Sequence, residues 1–206
     1  MTKELYIIRH GETELNRLGI VQGRGVNADL NDTGIAQAAA FFNKYNEVKF
    51  DKIYTSSLKR THQTVKGFID LGLPWEQLDG LDELAWGEWE GKPNTEEARE
   101  AFREVVRQWQ LGNYDAKFEG GESPNDVGVR LSKAIEHIKK QENEKCVLVC
   151  MHGRAMRLIL CILLNKPFSD MEEFPHSNTT LYRLQFDGEK FTLLDSNNTS
   201  HLEPLL

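Results

Sequence analysis

Two histidines, two arginines and a glutamate stand where they can act on one group. Arg9-His10-Gly11 follows the apolar run Leu5 to Ile8, and Arg60 lies in "IYTSSLKRTHQT". Glu83 lies in "LDELAWGEWEG", ahead of glycines 87 and 91, and His152-Gly153 follows "VLVCM". The planar guanidinium of arginine offers paired N–H donors that match the oxygens of a phosphoryl group. A neutral imidazole beside it is a nucleophile toward phosphorus. A second histidine can neutralise an equatorial oxygen, and a carboxylic acid can protonate the leaving alkoxide for a gain of about 10²–10⁴ in rate. Phosphoryl transfer asks for little beyond in-line positioning and charge neutralisation, which arginines and histidines supply without a metal. Any one cluster can be explained as a strand surfacing at a charged turn. Four of them in one chain are poorly explained that way.

The chemistry requires that these clusters meet, so the elements around them matter. Strand-like runs alternate with helix-like ones: a strand over 4–9, then an alanine-rich helix capped near Asp32 or Thr33. A strand over 51–57 precedes a helix that Gly72 closes. A charged and aromatic middle stretch holds one clear helix from about Glu96 to Leu111. Ser123 and Pro124 open the next helix. "KCVLVCM" is the most strand-like segment, "RAMRLILCILLN" is a helix packed on it, and a hairpin turns at Asp187-Gly188. The order predicts a three-layer α/β/α sandwich with a mainly parallel sheet and an antiparallel edge. Residues 1–206 are expected to form one domain, with a small helical cap inserted at about 85–121. In open α/β sheets ligands bind beyond the carboxyl ends of the strands, where all these clusters fall.

Composition narrows the alternatives. The net charge is −7, which disfavours a general affinity for nucleic acid or an anionic membrane surface. The three cysteines, Cys146, Cys150 and Cys161, make a poor disulfide framework, and two of them read as core. No ligand spacing for a metal stands out, no cofactor is implied, and no apolar run reaches the length of a membrane helix. No signal peptide is visible, so a cytoplasmic setting is expected.

"LYIIRHGETELN", "IYTSSLKRTHQT", "LDELAWGEWEG" and "MHGRAMR" resemble the signature segments of the histidine phosphatase superfamily, the phosphoglycerate mutase-like fold. The likeness runs from about residue 4 to residue 186. It implies that His10 becomes a phosphohistidine and that Arg9, Arg60 and His152 form the phosphate pocket. It further implies that Glu83 is the general acid that later activates water, that Asn16 helps to hold phosphate, and that Gly11 and Gly153 allow close backbone approach. The implied partners are a small phosphomonoester and inorganic phosphate, with no metal. The implied activity is a phosphomonoesterase, in look nearest to the α-ribazole and broad-specificity phosphatases. A phosphoglycerate mutase is the alternative, and a silent phosphate-binding module a distant third. Leu84 stands where mutases carry an arginine, which favours hydrolysis.

Other residues keep plainer readings. Arg154 either adds charge at the pocket rim or begins a helix facing solvent. Glu88 is the alternative acid to Glu83. His62, His137 and His201 read as helix or tail residues, whereas His176 precedes a strand and can face the rim. Trp86 and Tyr114 read as packing, or as walls for a leaving group.

Overall fold

Side-chain alternation along the first strand decides the layering. In β1 (Lys3–Arg9) Leu5 and Ile7 point to one face of the sheet and Tyr6 and Ile8 to the other, as the two-residue repeat of a strand requires. The computed structural model describes residues 2–93 and 95–205. Its remaining strands are β2 (Lys52–Thr55), β3 (Trp75–Gln77), β4 (Cys146–Met151), β5 (Leu181–Phe186) and β6 (Phe191–Asn198). The six-stranded sheet has the order β3-β2-β4-β1-β5-β6. β1 to β4 run parallel, while β5 lies antiparallel to β1 and β6 antiparallel to β5.

The helices are α1 (Glu14–Arg17), α2 (Asp32–Tyr45), α3 (Lys59–Thr64), α4 (Lys66–Asp70), α5 (Glu96–Gln110), α6 (Pro124–Lys139) and α7 (Gly153–Leu163). Leu5, Ile7, Val147 and Val149 share a core with α6 and α7. Tyr6, Ile8, Leu148 and Cys150 share the opposite core with Phe41 of α2 and Phe68 of α4. Two cores on two faces of one sheet make the α/β/α sandwich that the element order predicts.

Several details depart from the sequence reading. Asn31, not Asp32 or Thr33, caps α2: its amide donates to Glu12 Oε1 at 2.8 Å, which aims its carbonyl at Gly34 N. The single helix expected after β2 is broken at Val65, where the Thr64 hydroxyl bonds back to the Arg60 carbonyl at 2.6 Å and competes with the helical ladder. β3 was not anticipated, because its three residues carry no alternation. The Ser123–Pro124 start of α6 is present, with a reciprocal capping box between Ser123 and Asp126.

Candidate active site

Strand register brings the polar clusters to one edge. Arg9 pairs with Met151 across β1 and β4, and Thr55 pairs with Cys150 across β2 and β4. The ladder continues one residue further, with His10 N donating to Met151 O at 3.0 Å and Ser56 N to Cys150 O at 3.3 Å. His10 and His152 therefore emerge side by side, ring centroids 5.2 Å apart.

Hydrogen bonds fix the tautomer of each ring. His10 Nδ1 lies 2.7 Å from the Gly11 carbonyl, which can only accept, so Nδ1 carries the proton and Nε2 keeps its lone pair. Arg60 Nε lies 3.2 Å from His152 Nδ1, and arginine can only donate. The His152 proton is thus on Nε2, which donates to Ser56 Oγ at 2.7 Å. Ser56 Oγ also accepts from Leu58 N, and its own proton goes to Thr61 Oγ1 at 3.1 Å. Burial, then the charge of Arg60, holds both imidazoles well below the usual histidine range, so both are neutral near pH 7.

The cations are held as firmly. Arg60 is fully buried, and its guanidinium also donates to the carbonyls of Val26 at 2.7 Å and Gly23 at 3.4 Å. Arg9 Nη1 donates to the His176 carbonyl and to His176 Nδ1, while its buried Nε has no protein partner. Burial lowers both guanidinium groups to about 10, which still leaves them charged at neutral pH. Glu83 sits at the N-terminus of α7. Its Oε1 accepts from Leu84 N and Ala155 N, both at 2.9 Å, and its Oε2 accepts from Arg154 N at 3.1 Å. Its backbone is clamped from α6: Arg130 donates to the carbonyls of Gly80, Asp82 and Glu83 and forms an ion pair with Glu122.

A cavity of about 220 Å³ opens above this edge, and Arg9, His10, Asn16, Glu83 and Gly153 line it. Arg60 and His152 are wholly buried beside His10 and do not line it. Gly11 stands apart from the cavity. Its N–H donates to Thr64 Oγ1 at 2.9 Å, and its α-carbon faces Gly34, whose carbonyl oxygen an added Cβ would meet at 2.7 Å. The close approach that this glycine allows is to another backbone. Gly153 does border the cavity, and a Cβ there would press on His176 Nδ1 at 3.1 Å and Arg9 Nε at 3.3 Å. The Asn16 carbonyl accepts from Thr13 and Asn178, which turns its amide nitrogen away from those donors.

Residues 5–199 match the histidine phosphatase superfamily (branch 1). The chain belongs to this superfamily. It is 30% identical over 200 residues to phosphoserine phosphatase 1 of Hydrogenobacter thermophilus, covering 97% of this chain and 94% of that one. It is 34% identical over 182 residues to the 6-phosphofructo-2-kinase/fructose-2,6-bisphosphatase of Gallus gallus, covering 87% of this chain but 36% of that longer protein. Among solved structures, a phosphoserine phosphatase of Entamoeba histolytica in complex with 3-phosphoglyceric acid matches with a TM-score of 0.82 at 27% identity, over 97% of this chain and 99% of that one. The α-ribazole phosphatase of Shigella flexneri shares the fold, with a TM-score of 0.83 at 24% identity, over 95% and 96% of the two chains. As a histidine phosphatase, the chain is a phosphoric monoester hydrolase.

In this histidine phosphatase several residues join the site that sequence reasoning left open or missed. His176 lines the cavity beside Arg9, and burial followed by the charge of Arg9 lowers it to about 3. Arg154 lies at the start of α7 without facing solvent, and it lines the cavity with its charge already paired. It is buried, its guanidinium lies 5.6 Å from the Phe102 ring and 5.7 Å from the Trp109 ring, and it pairs with Glu172, as does Arg157. Gln22 was missed. It lines the cavity, donates to Thr13 Oγ1 at 2.7 Å and leaves a buried carbonyl oxygen unpartnered. Ser56, read only as a strand end, accepts the Nε2–H of His152. Glu88 is exposed and faces Lys92, away from the cavity. His62, His137 and His201 also lie elsewhere. Among the described residues no helix is long and apolar enough to cross a membrane.

Proposed function

We propose that this protein hydrolyses a small phosphomonoester through a phosphohistidine at His10, without a metal. The observation that carries the proposal is the neutral His10 ring. Its Nε2 lone pair is free because Nδ1 is tied to Gly11, and it stands in a cavity beside the unpartnered Arg9 Nε. Nε2 attacks phosphorus, the P–O bond to the leaving group breaks, and Glu83 gives its proton to the departing alkoxide. The positive charge that develops on the imidazole is met by the Gly11 carbonyl at Nδ1. Arg9, whose Nε has no protein partner at the cavity, neutralises the phosphoryl oxygens directly, and the buried Arg60 adds its charge from beside His10. His152, neutral and held by Arg60 and Ser56 at its two ring nitrogens, keeps Arg60 in place. Glu83 Oε2, with one backbone donor, retains a lone pair for the proton. In the second half a water attacks phosphorus, the Glu83 carboxylate takes its proton, and the N–P bond breaks to release inorganic phosphate. Residues 85–121 act as a cap over this site within a single domain. Asn16 and Gly153 complete the phosphate cradle.

Hydrolysis is favoured over mutase transfer because Leu84, the residue after the acid, is buried in the core and offers no cation to a second anionic group. The named substrates of the relatives, phosphoserine and a sugar bisphosphate among them, support the phosphomonoester class. The test is a panel of phosphomonoesters that includes 3-phosphoglycerate, assayed with chelator present. Release of inorganic phosphate at an undiminished rate is expected. Transfer to the second hydroxyl of glycerate faster than phosphate release, or loss of activity restored by one divalent ion, would overturn the proposal.

A further inference from the structure

One nitrogen of the Arg9 guanidinium is committed to the protein itself. Nη1 donates twice to a single residue, to the backbone carbonyl of His176 and to its ring Nδ1 at 3.3 Å. Arginine only donates, so His176 Nδ1 keeps its lone pair and the ring proton is on Nε2. Burial and the charge of Arg9 keep the ring unprotonated down to about pH 3, so the acceptor is present throughout the neutral range. The ring lies in the cavity wall against the start of α7, where a Cβ on Gly153 would meet His176 Nδ1 at 3.1 Å and Arg9 Nε at 3.3 Å. The glycine leaves the space in which imidazole and guanidinium lie side by side. The turn that carries His176 is tied to the floor as well. Asn178 Nδ2 donates to the His10 carbonyl at 3.1 Å and to Asn16 Oδ1 at 3.3 Å, and Thr179 N donates to the His10 carbonyl at 3.4 Å. Thr179 has a φ of 56°, which a β-branched residue rarely adopts and which persists only where the surroundings determine it. The turn is thus fixed against His10 at one end while it holds Arg9 at the other.

We infer that His176 is a positioning residue for the hydrolysis: by holding Arg9 Nη1 at two acceptors it turns the guanidinium so that the edge carrying Nε faces the phosphoryl group. The inference rests on the phosphohistidine reading, since that reading places the phosphoryl group between His10 and Arg9. A guanidinium can grip two oxygens through its end, Nη1 with Nη2, or through its side, Nε with Nη2. With Nη1 taken by His176 only the side remains, and the unpartnered Arg9 Nε belongs to it. One acceptor alone would let the planar group swing about the line from Nη1 to the carbonyl oxygen. The second acceptor, His176 Nδ1, stops that swing. A misplacement of about 1 Å in a group that meets the transition state costs on the order of 10²-fold in rate.

The experiment uses nitrophenyl phosphate, whose phenolate leaves without a proton from Glu83, so the grip on the phosphoryl group dominates the rate. His176→Leu keeps the backbone carbonyl and most of the bulk but removes the ring acceptor. It is expected to lower kcat by about 10- to 100-fold and to leave KM within about threefold, because the charge of Arg9 still attracts the ground state. His176→Asn places an amide oxygen near the position of Nδ1 and is expected to keep kcat within about threefold of the unaltered enzyme. In an Arg9→Lys background, where no second edge exists to be turned, His176→Leu should cost no more than about a further twofold. A residue that merely fills the wall would instead raise KM at constant kcat. That result, a His176→Asn variant as slow as His176→Leu, or a full loss in the Arg9→Lys background would overturn the inference. If His176→Leu does not fold, His176→Ala removes the ring without adding bulk and carries the same expectations. Quenched single turnovers keep the two readings apart. Phosphohistidine formed in His176→Leu at the unaltered rate would overturn the role of His176 and leave the nucleophile standing, whereas no phosphohistidine in the unaltered enzyme would remove both.

Discussion

The strand-end floor and the aromatic segment 85–121 are built on opposite plans. On the floor almost every polar atom has a stated partner: His10 on Gly11, His152 between Arg60 and Ser56, Glu83 on three backbone N–H groups. In the 85–121 segment, rings pack on rings, and its hydrogen bonds, such as Trp109 Nε1 to Ala116 O at 2.7 Å and Glu122 N to Ala85 O at 2.8 Å, hold the backbone rather than groups at the cavity. The charges of α5 are satisfied on its outer face by the pairs of Glu96 with Arg99 and Arg103. Hydrogen-bonded networks tolerate one geometry, whereas apolar surfaces tolerate repacking. The chemistry proposed for the strand ends thus sits where movement is least allowed.

Substitution on the floor should be the more damaging. Arg60→Lys keeps a charge but has one nitrogen, where the guanidinium reaches His152, Val26 and Gly23 at once. We expect a loss of roughly 10³-fold or more in kcat/KM, a size typical for removing a transition-state clamp. A loss under tenfold would show that charge alone suffices and that the floor is less exacting than its geometry implies. Glu83→Gln comes next. The first half-reaction should slow by about 10²-fold or more on an alkyl phosphate and clearly less on nitrophenyl phosphate, whose phenolate leaves without a proton. Single-turnover bursts with both substrates measure this, and equal losses would make Glu83 a positioning group.

Two further variants probe the seam between the regions. Arg130→Met removes the clamp on the 80–83 turn, together with its pair to Glu122. It should cost about 3 kcal/mol of stability and reproduce the substrate-dependent burst defect of Glu83→Gln. Denaturant melts and bursts check both halves, and a normal burst would separate Arg130 from the acid. Arg154→Met belongs to the floor helix but touches cap rings, so it should raise KM several-fold with kcat held within about threefold. A fall in kcat at constant KM would assign Arg154 to the chemistry.

The smallest effect lies away from both regions. His201 is buried against Phe41, and burial lowers it to about 4 from an unfolded value near 6.5. The unfolded chain then binds more protons than the folded one between those values, so stability falls as pH drops from about 6.5 and the loss is complete near 4. His201→Gln, which can keep the contact to Thr179 Oγ1, should flatten the slope of Tm against pH in that window. An unchanged slope would locate the acid sensitivity in the site histidines.

What could be read from the sequence follows the same division. The strand ends were legible because an apolar run that stops in Arg-His or Met-His-Gly is a local signal, and parallel order then predicts convergence. The seating of Gly11 against Gly34 was not, because it depends on the loop after β1 meeting the first turn of α2. Gln22, Ser56 and Arg154 were hidden for a related reason. Ser56 acts through His152 and Arg154 through the rings of Phe102 and Trp109, partners far away in the chain, while Gln22 shows its place only once the cavity is formed. The break at Val65 coincides with a side-chain bond, Thr64 to Arg60, that a propensity reading cannot weigh.

The most direct measurement is to mix the enzyme with a phosphomonoester, quench it within the first turnover under conditions that preserve acid-labile phosphoramidates, and map the phosphorylated peptide. Label on His10 Nε2 in the unaltered enzyme, absent in His10→Ala together with turnover, is the expected result. Label on another residue, or a His10→Ala variant that still turns over at the unaltered rate, would contradict the assignment of His10 as nucleophile.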